Sequence, residues 1–154
     1  MGDPHGRVLA LDLGKRRIGL AVSDELGLTA QGLPTLERTN KAQDLEVLAR
    51  LIREKNAALV VVGHPLHLSG AEGRQANWAA QFARTLAMHA EVEVRLWDER
   101  LTSVEAGRIL SQSGMSRKKK SAAVDRLSAV LILQSYLDYS AGQAALDSRT
   151  SPAQ

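Results

Sequence analysis

Residues 8–24, VLALDLGKRRIGLAVSD, determine how this chain folds, because they place one acid inside an apolar strand. Apart from Asp12, residues 8–13 are all apolar, which predicts a strand that is buried on both faces. A basic turn over residues 14–16 follows, and residues 18–22 are typical of a returning strand. A buried carboxylate has to be paired, hydrogen-bonded or bound to a metal, so the role of Asp12 needs an explanation.

The composition indicates one compact domain. The chain has 154 residues, of which 44% are hydrophobic and 24% charged, and its net charge of +3 is mild. It has no cysteine, which excludes disulfides, thiolate metal sites and cysteine nucleophiles. No signal-like or membrane-spanning run occurs, so we expect a soluble cytoplasmic protein without a membrane partner. We expect one domain over residues 1–139 and a disordered tail over residues 140–154.

The order of the predicted elements indicates an α/β fold with a mixed five-stranded sheet flanked by helices. Short connections favour three antiparallel strands first, of which the third is an edge strand because it contains Pro34. Two parallel strands, separated by helices, follow. Trp78, Phe82 and Leu86 repeat at helical spacing and are expected in the core. The predicted strands are 8–13, 18–22, 31–36, 59–63 and 92–97, and the predicted helices are 40–55, 72–89, 102–114 and 121–139.

Three acids are candidates for a shared site at the carboxyl ends of the parallel strands, where ligands collect in such sheets. Asp12 lies in the first strand, and Asp98 and Glu99 directly follow the last one. Adjacent strand residues face opposite ways, so at most one of the latter pair points into a common site, and we favour Glu99. Asp125 shares a helical face with apolar residues such as Ala129, which predicts that it faces inward.

Each acid also has a purely structural interpretation. Asp12 could pair with Arg16 or Arg17 across the hairpin, and Asp125 could favour the dipole of its helix. Asp98 and Glu99 could form a surface salt bridge with Arg100. Three converging carboxylates would instead repel one another unless divalent cations neutralised them. Oxygen ligands favour Mg²⁺ or Mn²⁺ over zinc, and two such ions could support hydrolysis of a phosphodiester.

A basic run over residues 117–120 precedes the last predicted helix, which Ser121 is expected to cap. Four cations at a helix amino end oppose the helix dipole, so they suit a phosphate backbone better than their own helix, although such runs are often only solvated. His64 and His67 lie in a loop and receive no catalytic role. The candidate nucleic-acid contacts are Lys15, Arg16, Arg74, Arg100, Arg117, Lys118, Lys119 and Lys120.

Four blocks of the sequence, between residues 8 and 137, resemble the YqgF/RuvX family of RNase H-like nucleases. They are LDLGKRRIGLAVSD, VVGHPLHLSGAEG, DERLTS and VDRLSAVLILQSYL. The resemblance implies an RNase H-like fold, metal-dependent phosphodiester cleavage and a role in maturing the 5′ end of pre-16S rRNA. By position, it makes Asp12, Glu99 and Asp125 the catalytic acids and metal ligands. In the related junction resolvases the middle acid comes from the strand that here ends in Gly63, so Glu99 has to reach the site from the neighbouring strand.

The leading hypothesis is therefore a Mg²⁺- or Mn²⁺-dependent endonuclease that acts on structured nucleic acid. Its substrate is either ribosomal precursor RNA or branched DNA, since phosphate contacts carry little information about base or sugar. A second hypothesis is a non-catalytic nucleic-acid-binding or ribosome-assembly module. An ATP-handling protein of the same broad fold ranks last, because the glycine motifs for phosphate binding are absent. Both a monomer and a homodimer are compatible with the sequence.

Overall fold

The computed structural model describes residues 6–102 and 117–150, with the side chains of residues 126–146 in the last helix. Within the described part of the chain, no helix is long and apolar enough to cross a membrane. A 3₁₀ turn over Glu99–Leu101 follows the last strand. The strands are β1 Arg7–Leu13, β2 Arg17–Ser23, β3 Ala30–Glu37, β4 Ala57–His64 and β5 Glu93–Asp98, and the helices are α1 Lys41–Glu54, α2 Arg74–Ala90 and α3 Arg117–Thr150.

The five strands form one mixed sheet in the order β3-β2-β1-β4-β5. β1, β2 and β3 are antiparallel neighbours, while β4 pairs parallel with both β1 and β5. The predicted α/β class, with three antiparallel and then two parallel strands, is confirmed. Because β1, β4 and β5 are parallel, the segments that follow them all leave the sheet at one edge, which we call the carboxyl edge.

Side chains of β1 alternate between two cores on opposite faces of the sheet. Leu9 and Leu11 are fully buried in a cluster with residues of α1 and α2. Ala10 is fully buried in a second cluster, which α3 covers with residues such as Leu133. Since successive strand residues face opposite ways, Asp12 lies on the same face as Ala10, which is the α3 face.

The start of α1 agrees with the prediction. The Asn40 side chain accepts a hydrogen bond from the Gln43 backbone N–H at 2.9 Å, which caps the helix. At the other end the backbone leaves the helix through Asn56, which adopts a left-handed conformation with φ of 52°. Asparagine tolerates this conformation better than most residues do, so the predicted helix end is also confirmed.

The last helix differs from its predicted bounds at both ends. It begins at Arg117 instead of after a Ser121 cap, since lysine and arginine are good helix formers. It continues to Thr150, where a disordered tail was predicted from Ser140, and Ala144 and Ala145 are among the residues that favour this extension. The helix predicted over residues 102–114 lies almost wholly outside the described residues.

Candidate active site

A tight turn at the end of β1 positions the first candidate acid. The backbone N–H of Gly14 donates to the carbonyl oxygen of Arg17 at 2.9 Å, which closes the turn between β1 and β2. A Cβ at Gly14 would lie 2.6 Å from that oxygen, so glycine is required for this close approach. The turn therefore fixes Asp12 near the end of β1, at the carboxyl edge, and Lys15 and Arg16 are exposed in the turn itself.

Asp12 and Glu99 come together on the α3 face of the sheet. Both side chains are half-buried, and Glu99 donates a hydrogen bond to Asp12. Burial raises the pKa of Glu99 to about 8, and the hydrogen bond to Asp12 and the charges of Asp12 and Asp98 add to this effect. Burial also raises the pKa of Asp12, although the hydrogen bond from Glu99 partly opposes it. At neutral pH the two carboxyl groups therefore share a proton.

Glu99 reaches Asp12 because Gly63 leaves room for it on the intervening strand. β1 and β4 pair at Leu11 and Val62, so Asp12 and Gly63 occupy the next positions on adjacent strands. A Cβ at Gly63 would clash with the Glu99 carboxylate and would lie 2.8 Å from Ile132 Cδ1. The Glu99 carboxylate therefore lies over β4, the strand that was expected to carry the middle acid in the related junction resolvases.

Asp98 has a structural role at the start of the 3₁₀ turn and pairs with Arg100. Its carboxylate accepts from the Arg100 backbone N–H at 3.0 Å and thereby caps the 3₁₀ turn that carries Glu99. The Arg100 side chain binds the same carboxylate, with Nη2 at 2.6 Å from Oδ2, and lowers its pKa. Arg100 also donates to the carbonyl oxygen of Leu68 at 3.3 Å. Asp98 and Arg100 therefore hold the turn and the loop before α2 in place, and Arg100 is already engaged in intramolecular bonds.

The third candidate acid lies on the helix that covers the site. Two contacts show the direction in which α3 crosses the sheet. The Tyr136 hydroxyl accepts a hydrogen bond from Arg95, which pairs with Val61 of β4, whereas Ile132 lies next to Gly63, two residues nearer the carboxyl edge. Contacts of α3 thus move toward the carboxyl edge as the helix approaches its start. Asp125 precedes Ile132 by seven residues, which places it on the same helical stripe. Its side chain is outside the described residues, so the structure brings together two of the three acids.

The predicted nucleic-acid contacts are distributed around the carboxyl edge. Lys15 and Arg16 are exposed on the β1–β2 turn, and Arg74 is exposed as the first residue of α2. The run over residues 117–120 forms the first turn of α3, and its side chains lie outside the described part. His64 is the last residue of β4 and not a loop residue as predicted, and its Nε2 lies 2.9 Å from Glu72 Oε2 in the loop before α2.

Sequence reasoning missed Arg38, which lies directly after β3. Its backbone N–H donates to the Arg16 carbonyl oxygen at 2.9 Å, and its Nη1 donates to the Gly14 carbonyl oxygen, also at 2.9 Å. Its guanidinium lies 4.5 Å from the centre of the Trp78 ring. The signal that could have found it is topological, because β3 runs antiparallel to β2 and so returns the chain to the β1–β2 turn.

This arrangement suits chemistry on a phosphodiester. The half-buried carboxyl groups of Asp12 and Glu99 hold oxygen atoms at one point of the carboxyl edge, and Lys15, Arg16 and Arg74 are exposed at the same edge. Among the described residues, no group of three metal-ligating side chains occurs, as expected when the side chain of Asp125 is not among them. Oxygen-only donors match hard divalent cations.

Comparisons with known proteins agree with the resemblance in sequence. The family model for RuvX, described as Holliday junction resolvase, matches residues 6–139. A protein of Koribacter versatilis is 57% identical over 134 residues, which cover 87% of this chain and 88% of the relative. A protein of Syntrophus aciditrophicus is 48% identical over 132 residues, which cover 86% of this chain and 88% of the relative. Both are named "Putative pre-16S rRNA nuclease".

Solved structures show the same fold at low sequence identity. RuvC of Thermus thermophilus matches with a TM-score of 0.52 and 16% identity, covering 88% of this chain and 96% of RuvC. The fowlpox virus Holliday junction resolvase matches with a TM-score of 0.51 and 11% identity, covering 86% of this chain and 99% of the viral one. The chain therefore belongs to the RuvX family of nucleases and has the RNase H-like fold of the junction resolvases.

Proposed function

We propose that this chain is a divalent-metal-dependent endonuclease that cleaves pre-16S rRNA during maturation of its 5′ end. The observation that carries the proposal is the pair of half-buried carboxyl groups of Asp12 and Glu99, whose pKa values are both raised. Such a pair is costly to keep in a fold unless a cation takes the place of the shared proton. The names of the relatives supply the substrate class.

The proposed metal ligands are Asp12, Glu99 and Asp125, with Mg²⁺ or Mn²⁺ as the metal. The observed donors fit, because carboxylate oxygens are the preferred ligands of both ions. The position of Asp125 on the stripe of Ala129 and Ile132 supports its inclusion, since both of those residues are buried. Divalent cations held there would activate water and stabilise the leaving oxygen of a phosphodiester.

The chain's own residues then have separate tasks. Asp12 and Glu99 would hold the cation only after losing the proton between them, so binding of the metal is expected to depend on pH. Asp98 and Arg100 keep the 3₁₀ turn in the conformation that presents Glu99. Lys15, Arg16, Arg74 and the run over residues 117–120 would hold backbone phosphates, which positions the strand without reading its sequence.

The test is cleavage of labelled precursor RNA that spans the 5′ end of 16S rRNA, in Mg²⁺ and in Mn²⁺. We expect cleavage with the wild-type protein, none in EDTA, and a loss of at least a thousandfold with Asp12→Asn while RNA binding changes little. Glu25→Gln is the matched control, because Glu25 is an exposed acid in the β2–β3 turn. Failure to cleave with either metal, or full activity of Asp12→Asn, would refute the proposal.

Cleavage of branched DNA is the second candidate, favoured by the description of the family model as Holliday junction resolvase. A four-way DNA junction in the same assay separates the two substrates. Paired cuts in the junction, with intact precursor RNA, would replace the proposed substrate and keep the proposed acids. Salt-dependent binding of both nucleic acids without cleavage of either would favour the non-catalytic module.

A further inference from the structure

A basic groove lies on the side of the β1–β2 turn away from Asp12. It has a volume of about 420 Å³ and is lined by Lys15, Arg38, Arg74, Gln75 and Trp78. Three of these five residues are cations, and none is an acid. Trp78 packs against the core on the α1 and α2 face, whereas Asp12 lies on the α3 face, so the groove is distinct from the candidate active site.

The walls of the groove combine fixed charge with a flat apolar surface. Arg38 is held by the Gly14 carbonyl oxygen at 2.9 Å and by the Asp44 carboxylate at 3.7 Å, while its guanidinium lies 4.5 Å from the centre of the Trp78 ring. Trp78 is half-buried and lines the groove together with the Arg38 guanidinium that lies over its ring. Lys15, Arg74 and the Gln75 amide are exposed at the rim.

These features match an unpaired nucleotide better than a duplex backbone. A duplex presents phosphates on a convex surface, which exposed cations alone can bind. Unpaired bases stack on aromatic rings and on guanidinium planes, and their edges form hydrogen bonds with amides. A groove of this volume is within the range of small-molecule sites.

We propose that this groove binds one unpaired nucleotide of the substrate strand next to the cleavage site. This inference rests on the proposed function, because both sites would hold the same strand across the carboxyl edge. Two residues lie between Asp12 and Lys15, so the Cα atoms of Asp12 and Lys15 are at most about 11 Å apart. Lys15 and Arg74 bind the flanking phosphates, Arg38 and Trp78 contact the base, and Gln75 bonds to its edge.

Fluorescence of Trp78 tests the proposal directly, in EDTA, so that the nucleic acid remains uncleaved. The chain has two tryptophans, and Trp97→Phe leaves Trp78 as the reporter. We expect saturable quenching by a short single-stranded RNA and at least about tenfold weaker binding of a blunt RNA duplex of equal phosphate content, with no response to inorganic phosphate. Equal responses to single strand and duplex, or none to either, would overturn the proposal.

Variants at the rim separate this site from general attraction to a polyanion. Arg74→Ala and Gln75→Ala are each expected to weaken binding of the single strand by at least about fivefold. Arg53→Ala removes an exposed cation from α1 and should change the affinity for the single strand by less than about twofold. If Arg53→Ala weakens binding as much as Arg74→Ala does, the groove has no specific role. Metal-dependent cleavage without a preference for single-stranded RNA would refute the nucleotide site but not the proposed function. A preference for single-stranded RNA without metal-dependent cleavage would refute the proposed function but not the nucleotide site.

Discussion

At Gly63, a hydrogen atom in place of a side chain decides where the Glu99 carboxylate lies. A Cβ would clash with that carboxylate and would also lie 2.8 Å from Ile132 Cδ1. Gly63→Ala is therefore expected to lower cleavage by at least about tenfold and to destabilise the fold by about 1–3 kcal/mol through overpacking. Cleavage of precursor RNA and denaturation in urea measure the two effects.

A second substitution separates the two consequences of the added methyl group. Ile132→Val removes the Cδ1 atom, so Gly63→Ala with Ile132→Val should recover the part of the stability that is lost through the contact with Ile132. The clash with Glu99 remains, and cleavage should stay low. Recovery of cleavage together with stability would show that the position of Glu99 does not depend on Gly63.

The raised pKa of Glu99 makes the stability of the metal-free protein depend on pH. The folded protein keeps a proton on Glu99 up to about pH 8, whereas the unfolded chain releases it above the ordinary pKa of 4.5. The unfolded state thus binds fewer protons in this window, and the free energy of unfolding falls as the pH rises, by at most about 1.4 kcal/mol per pH unit.

Comparison with Glu99→Gln in EDTA isolates this effect. Glutamine does not ionise, so the free energy of unfolding of the wild-type protein should fall relative to that of Glu99→Gln as the pH rises from about 4.5 to about 8. Urea denaturation at several pH values measures the difference. Curves that remain parallel across this window would mean that Glu99 ionises normally in the fold.

Among the elements, β1, β3, α1 and α2 are joined by the side chain of Arg38. It donates to the β1–β2 turn, lies over Trp78 of α2, and pairs with Asp44 of α1, which is 2% exposed. Asp44 also accepts from the Thr39 backbone N–H at 3.1 Å. A buried carboxylate that loses its cation is left uncompensated, which destabilises a fold more than the loss of a surface pair does.

Arg38→Met is accordingly expected to lower the free energy of unfolding by about 3 kcal/mol. Asp44→Asn in the same chain removes the uncompensated charge while keeping an oxygen for Thr39, so the double variant should be more stable than Arg38→Met. Thermal and urea denaturation provide the measurement. If the double variant is the less stable of the two, Asp44 does not depend on the charge of Arg38.

For the whole molecule, binding of a divalent cation is expected to raise the melting temperature. A ligand that binds the folded state alone adds about 2.7 kcal/mol at a hundred times its Kd, which for a chain of this size corresponds to about 5–10 °C. Mg²⁺ or Mn²⁺ should produce this rise in the wild-type protein and in Glu25→Gln. Asp12→Asn should show little of it, and an equal rise in all three would place the cation elsewhere.

The sequence determined much of the architecture, because burial leaves a readable pattern. The apolar run around Asp12, the valines before Gly63 and the Asn40 cap each predict an element that the structure contains. The pattern also singled out Asp12, since an acid in an apolar strand is unusual, and it favoured Glu99 over Asp98 because adjacent strand residues face opposite ways. The sequence predicted the ends of α3 less well, because helix-forming residues continue beyond the part of the helix that packs on the core.

Only the tertiary structure decided which groups meet. Glu99 and Asp12 are distant in the chain, and their contact depends on the parallel pairing of β1, β4 and β5 and on the free space over Gly63. The groove likewise needs Arg38, Arg74 and the β1–β2 turn at one edge, which follows from strand order and not from local propensity. A sequence pattern records which side chains prefer burial, whereas the juxtaposition of remote side chains depends on how the strands pair and the helices pack.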